Sequence, residues 1–208
     1  MILIIPLRNS GNFENLRYAL RSICLHMPIK ECILVGGKPK WYKGFHVEHK
    51  DYGIERKEEN IRDKVIAGAE LLGGEFLMAN DDHILNAPIT KTFNKGLLSE
   101  TLATRNPNGS YARLLTNTIN RYGDVANVDC HAPMVMNSEG VKLTKFDWPK
   151  FGIGFKTCYA QENGIVSEYM PDCKVSVIPE NREWYSLTPA FNIRTLKNIF
   201  PEPCIFEK

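Results

Sequence analysis

The sequence predicts an α/β fold: a mainly parallel sheet flanked by helices, with a less regular second half. Two observations carry that reading. Short, fully apolar runs of β-branched type recur at Ile2 to Ile5 and at Cys32 to Val35, as expected for strands covered on both faces. Between them lies an amphipathic helix, so strand, helix and strand follow within about forty residues, the signature of a crossover onto a parallel sheet. A chain of 208 residues suits one domain and is short for two.

The elements follow in order. After Ile2 to Ile5 comes the polar loop PLRNSGN. From Glu14 onward, Leu16, Ala19, Leu20, Ile23, Cys24 and Met27 fall on one helical stripe, which Pro28 closes. Arg17 and Arg21 lie one turn apart on that helix. The strand Cys32 to Val35 ends in GGKPKW, whose glycines and proline cannot continue it. Phe45 to Val47 suggest a third strand, and HKDYGIERKEEN reads as a solvated loop. In the helix that follows, Ile61, Val65, Ala69 and Leu72 recur at helical spacing, and Gly73-Gly74 is expected to end it. The strand Phe76 to Ala79 then delivers NDDH. Beyond it we expect a helix over Ser110 to Tyr122, a turn at VDCHAPM, the aromatic segment FDWPKFGIGF and a closing helix before FPEPCIFEK.

Composition narrows the class. Hydrophobic residues at 43%, charged residues at 24% and a mean hydropathy of -0.27 are those of a folded chain, which argues against disorder. A formal charge of +2 is too small to imply a nucleic-acid partner, although a local basic patch is open. The apolar opening is short and lacks a basic leader, so it reads as a strand, and no run is long enough to span a bilayer; a cytoplasmic location is expected. The six cysteines, at 24, 32, 130, 158, 173 and 204, show no metal-finger spacing and read as reduced thiols.

In an open α/β sheet ligands bind beyond the carboxyl ends of the strands, where PLR, GGKP and NDDH all fall. Three strand ends are therefore expected to converge on one cleft. Hard divalent ions such as Mg²⁺ and Mn²⁺ prefer carboxylate oxygens and keep water or phosphate as further ligands, so one or two aspartates at a strand end suffice. Asp81 and Asp82 are the candidates. Neighbours on an extended strand point opposite ways, so one aspartate is expected to meet the metal, with Asp82 preferred, while the other meets sugar hydroxyls or orients its neighbour. The competing reading is that Asn80, Asp81 and Asp82 simply form a turn.

His83 could be a ligand, a base or a packed surface histidine. His131, in CHAPM, could be a second ligand, a general base or a hydrogen-bonded structural residue. Arg8 directly follows the first strand and could hold a phosphate, as could Arg17, Arg21, Lys38 or Lys64. Trp41 and Trp148 could stack on a base or sugar ring or pack into the core.

Taken together, ENLRYALRSI, the KPKW turn, EEN followed by a helix, and FLMANDDHIL resemble the second conserved block of the Stealth proteins, sugar-1-phosphate transferases of capsule synthesis and lysosomal-enzyme tagging. LKNIFPEPCIFEK resembles the end of their fourth block, and VDCHAPM is similar to the histidine-proline element of their third. The order is right and about half the chain is covered. The resemblance implies a nucleotide-sugar donor, a divalent metal, an acidic pair at Asp81 and Asp82, and polar motif positions at Asn60, Arg17, Arg21 and His131. Two features depart from it. The family's first block is replaced by MILIIPLRNSGN, and the acidic element before the terminal helix by LTPAFN, so two carboxylates of phosphosugar transfer are missing.

The opening also resembles compact glycosyltransferases of the GT-A type. The expectation is therefore a GT-A-like, Rossmann-like single domain over 1–208, with a donor and metal half at 1–90 and an acceptor half at 91–208. It would act as a metal-dependent glycosyltransferase on a nucleoside-diphosphate sugar with Mn²⁺ or Mg²⁺. Its acceptor would be a glycan, lipid, protein or modified nucleic-acid base. Sugar-1-phosphate transfer at the same donor site is one alternative, and a non-catalytic nucleotide- or carbohydrate-binding module is another.

Overall fold

The computed structural model describes residues 1–179 and 181–207. Strand β1 (Ile2–Leu7) leads through helix α1 (Glu14–His26) to β2 (Glu31–Gly36) and β3 (Phe45–Val47). Helix α2 (Lys57–Ala69) leads to β4 (Glu75–Met78), β5 (His83–Leu85) and β6 (Phe93–Asn94), and then to α3 (Leu98–Ala103) and α4 (Ser110–Tyr122). The remainder comprises β7 (Met134–Asn137), α5 (Ser138–Lys142), α6 (Phe155–Glu162), β8 (Glu168–Tyr169), β9 (Lys174–Val175), β10 (Trp184–Leu187) and α7 (Arg194–Ile199).

The central sheet has the order β3-β2-β1-β4-β7. Its first four strands are parallel, and β7 closes the edge antiparallel to β4. Period-two alternation explains why β1, β2 and β4 read as unbroken apolar runs. Leu3, Ile5, Cys32, Leu34 and Leu77 pack on α1 and the C-terminal segments, whereas Ile4, Ile33, Val35, Phe76 and Met78 pack on α2 and α6. Both faces are covered, so no position is left for a polar residue. A smaller sheet, β5-β10-β9, continues from the end of β4, and β6 pairs with β8. Among the described residues, no helix is long and apolar enough to cross a membrane. The six cysteines are free thiols.

Several expected boundaries shift. Helix α2 begins inside the charged stretch read as a loop, at Lys57, and its regular turns end at Ala69. Gly74, with φ of 91°, turns the chain into β4 after two further turn residues. Strands β5 to β10 and helices α3, α5 and α6 are additional to the elements expected from the sequence; each of these strands is only two to four residues long, and β10 is buried throughout and shows no alternation.

The end of β2 is set by close backbone approach. Gly36 has φ of 107°, and a β-carbon there would run into the Leu7 carbonyl and the Lys64 ammonium. A β-carbon on Gly37 would meet the Arg8 carbonyl. These glycines let the loop after β1 lie flat against the end of β2. Gly36→Ala is expected to lower stability by roughly 1–3 kcal/mol through backbone strain alone, read as a drop in the urea midpoint with an unchanged slope.

Candidate functional site

The sheet grows from β1 toward β2 and β3 on one side and toward β4 on the other, so the strand order switches direction between the parallel strands β1 and β4, and a crevice opens at their carboxyl ends. A cleft of about 510 Å³ occupies it, walled by Arg8 from the end of β1, by Asn80, Asp81 and Asp82 from the end of β4, and by His131 and Lys174 from the second half. The loop after β1 supplies a further wall, and Lys57, Asn60, Ile61 and Lys64 another. Their i, i+3, i+4, i+7 spacing places them on one face of α2. The Lys64 ammonium donates to the Leu7 carbonyl at 2.6 Å and to Asp51 at 2.5 Å, and Asp51 also accepts from the Asn9 amide at 2.9 Å. Lys64 thereby ties the loop after β1 to the segment after β3, and Asn60 adds a bond to the Lys50 carbonyl at 3.0 Å.

The acidic pair does not continue the strand. Asp81 and Asp82 form a turn closed by the His83 amide on the Asn80 carbonyl at 3.3 Å, as the competing reading held. Strand alternation therefore does not separate them, and both carboxylates line the cleft. Their surroundings do separate them. Asp82 Oδ2 accepts from Ser186 Oγ at 2.9 Å and lies 3.5 Å from the Lys174 ammonium. Burial disfavours the charge on Asp82, but the charge His83 would carry when protonated, the Ser186 hydroxyl and Lys174 outweigh it and hold the carboxyl below the ordinary range; with the ring neutral, the hydroxyl and Lys174 are the groups that act. Asp81 has no side-chain donor among the described residues; burial first, and then the charge of Asp82, push its carboxyl up. The pair thus consists of one anchored carboxylate and one destabilised by its neighbour.

That arrangement fits a divalent cation. A cation beside Asp81 removes the repulsion that raises it, and Asp82 Oδ1 is a buried acceptor with no hydrogen-bond partner among the described residues. No group of three or more metal-ligating side chains is present among the described residues, so such an ion would rely on Asp81, Asp82, water and phosphate oxygens, in the manner of Mg²⁺ or Mn²⁺.

His83 belongs beneath the site, not in it. Its side chain is 0% exposed, and Nδ1 accepts from the Asn80 amide at 3.2 Å, which leaves the proton on Nε2, 3.9 Å from Asp82 Oδ1. Burial drives its pKa down to about 3, so the ring is neutral and its protonated nitrogen cannot ligate a metal. His131 is the opposite case. Asp172 accepts from the His131 amide at 2.8 Å and from Nδ1 at 2.7 Å. Burial raises the Asp172 carboxyl, yet these two donors and Lys95 bring it well below the ordinary range. The carboxylate fixes the tautomer with the proton on Nδ1, and Nε2 is the basic nitrogen of a ring that faces the cleft.

Arg17 and Arg21 are placed elsewhere. The apolar stripe of α1 lies on the sheet, which turns its polar face toward the C-terminal tail, where both guanidiniums bind Glu207. Trp41 lies under Arg17 at 4.3 Å and Trp148 under Arg62 at 4.5 Å, so neither indole lines the cleft. Lys38 is exposed and outside the wall, because GGKP packs behind the Arg8 loop; two strand ends converge on the cleft, not three.

A second cleft of about 360 Å³ abuts the first and shares Lys57, Ile61, Asn80 and His131 with it. Its own walls carry Glu58, Lys95, Arg105, Tyr111, Asp129 and Lys156, none of which the sequence singled out. No protein-family model matches the chain, and a search of the curated proteins finds no match.

Proposed function

We propose that the protein is a metal-dependent glycosyltransferase that takes a nucleoside-diphosphate sugar in the larger cleft. The observation that carries this reading is the pairing of Asp81 and Asp82 at the β1/β4 switch point with the cationic wall of Arg8, Lys57 and Lys174, and with the His131–Asp172 dyad in the same cleft. Carboxylates beside cations suit a diphosphate bridged by a divalent ion, and a histidine oriented by a carboxylate suits deprotonation of an alcohol. The sheet, with four parallel strands, one antiparallel edge strand and helices on both faces, supports a GT-A-like arrangement.

On this reading Asp81 and Asp82 hold Mg²⁺ or Mn²⁺, which when bound supplies positive charge to the diphosphate. Arg8 and Lys57 pair with phosphate oxygens that the ion leaves uncovered, and Asn60 offers a neutral amide. His131 Nε2 accepts the proton of the acceptor hydroxyl, whose oxygen bonds to the anomeric carbon. The bond from that carbon to the diphosphate oxygen breaks with its electron pair, and the nucleoside diphosphate departs. Asp172 stabilises the imidazolium that forms.

Two measurements test the assignment. Calorimetry with UDP and other nucleoside diphosphates should show affinity that appears with Mn²⁺ or Mg²⁺ and vanishes with chelator; affinity blind to metal would overturn it. Product analysis separates the chemistry: nucleoside diphosphate marks glycosyl transfer, nucleoside monophosphate marks sugar-1-phosphate transfer, and binding without turnover marks a non-catalytic module. His131→Gln should lower kcat by roughly a hundredfold or more, the usual worth of a positioned base, with donor affinity intact.

A further inference from the structure

The second cleft carries a concentration of cationic side chains that its own carboxylates do not neutralise. Lys156 is 7% exposed, and its ammonium donates to the carbonyls of Cys130 and Ala132, with no carboxylate in ion-pair range among the described residues. A buried ammonium held only by carbonyl dipoles favours a nearby anion. Lys95 reaches in from the other side, bonded to the Asp129 carbonyl at 2.8 Å and 3.4 Å from Asp172. Arg105, at the exposed rim, makes no ion pair among the described residues and lies over the Tyr111 ring at 5.2 Å. The Tyr111 hydroxyl is itself buried, with no partner in hydrogen-bond geometry among the described residues, and lies near enough to Lys95 to favour its charged form.

The cleft's two acids leave this surplus in place. Asp129 caps α6, accepting from the amides of Lys156 at 2.8 Å and Thr157 at 3.2 Å. The half-buried Glu58 carboxyl is pushed up, by burial first and then by Asp129, which lessens the negative charge it sets against the cleft's cations.

We propose that this second cleft is a phosphate-recognition site, in which Lys95, Arg105 and Lys156 around Tyr111 hold the phosphate of a small phosphorylated polyol or sugar. A volume of about 360 Å³ lies at the small end of ligand pockets and suits a group of monosaccharide size. His131 stands in the wall common to both clefts, so a ligand anchored by its phosphate in the second presents a hydroxyl to the base that serves the first. That presentation of a hydroxyl to His131 rests on the donor reading above; the phosphate site does not.

The test is a calorimetric titration of the full chain with inorganic phosphate in metal-free buffer, for the wild type, Arg105→Ala and Arg8→Ala. Arg105 is exposed, so its variant keeps the fold. Saturable binding that weakens about tenfold or more in Arg105→Ala and persists in Arg8→Ala is expected, since a charge-assisted bond to phosphate is lost. Lys156→Met, checked for native circular dichroism, should weaken it further. Absence of saturable binding, or binding lost in Arg8→Ala and unchanged in Arg105→Ala, overturns the proposal. A parallel titration with UDP and Mn²⁺ keeps the two readings apart. Failure there with phosphate binding intact removes the donor assignment alone, and the reverse pattern removes this one alone.

Discussion

Glu207→Ala is expected to destabilise the protein by roughly 3–5 kcal/mol, the range for removing one partner of a buried ion pair. The Glu207 side chain is 0% exposed and accepts from Arg17 Nη1 at 2.6 Å, Arg21 Nε at 2.7 Å and Nη2 at 2.8 Å, and the Cys204 amide at 3.1 Å. Arg21 also donates to the carbonyls of Phe200 and Pro201, so the cluster fastens the whole tail to α1. Removing the carboxylate leaves the Arg21 guanidinium without a counter-charge among the described residues and Arg17 with only Glu14, 3.9 Å away, and urea unfolding reads the loss. Burial raises the Glu207 carboxyl, but Arg21, the Cys204 amide and Arg17 together bring it below the ordinary 4.5. Its contribution is therefore present above about pH 4.5 and lost as pH falls through the lower folded value. The gap between wild type and Glu207→Gln should be full at pH 7 and close under acid; a gap that stays constant down to pH 2 would show the carboxylate's charge to be irrelevant.

This clasp also shows where sequence reading stops. The parallel sheet was legible because β1, β2 and β4 are buried on both faces and α1 carries one clean stripe, signals confined to windows of a few residues. The position of the aspartate pair is legible for the same reason, since it directly ends an apolar strand, but its turn is not: the preferred expectation is extended backbone with the two side chains pointing opposite ways. Arg17 and Arg21 were assigned to phosphate because local sequence shows only that they share a helix side; their partner lies more than 180 residues away. Asp172 was invisible on equal grounds. It is one aspartate in MPDCK, and only the fold brings it to His131, 41 residues earlier. Glu58 lies in the stretch that reads as a solvated loop and Lys156 directly follows the aromatic segment, where no helix is expected; burial of a charged side chain leaves no mark in the sequence. His83 went the other way: a histidine next to two aspartates suggests a ligand, yet its place in β5 puts it wholly in the interior.

Within the acidic pair, Asp81→Asn is expected to abolish the metal-dependent part of nucleotide affinity and lower kcat/KM by at least about a hundredfold, because a cation on a diphosphate is worth several kcal/mol. The reason lies in what each carboxylate already touches. Asp82 is held by Ser186 and Lys174 and rests on the neutral His83 ring, so its position is fixed by β9, β10 and β5 together. Asp81 has no such side-chain donor and carries the repulsion of Asp82, so it gains most from a cation. Ser186→Ala removes the 2.9 Å hydroxyl bond to Asp82 and leaves both carboxylates in place; metal affinity should then fall roughly 10–100-fold, the usual cost of losing a ligand's outer partner. Manganese titrations of both variants in the presence of UDP decide the matter. If Asp81→Asn keeps wild-type metal dependence while Ser186→Ala loses it, Asp82 alone grips the ion and the division of roles is reversed; if neither changes, the turn at the end of β4 holds no metal at all.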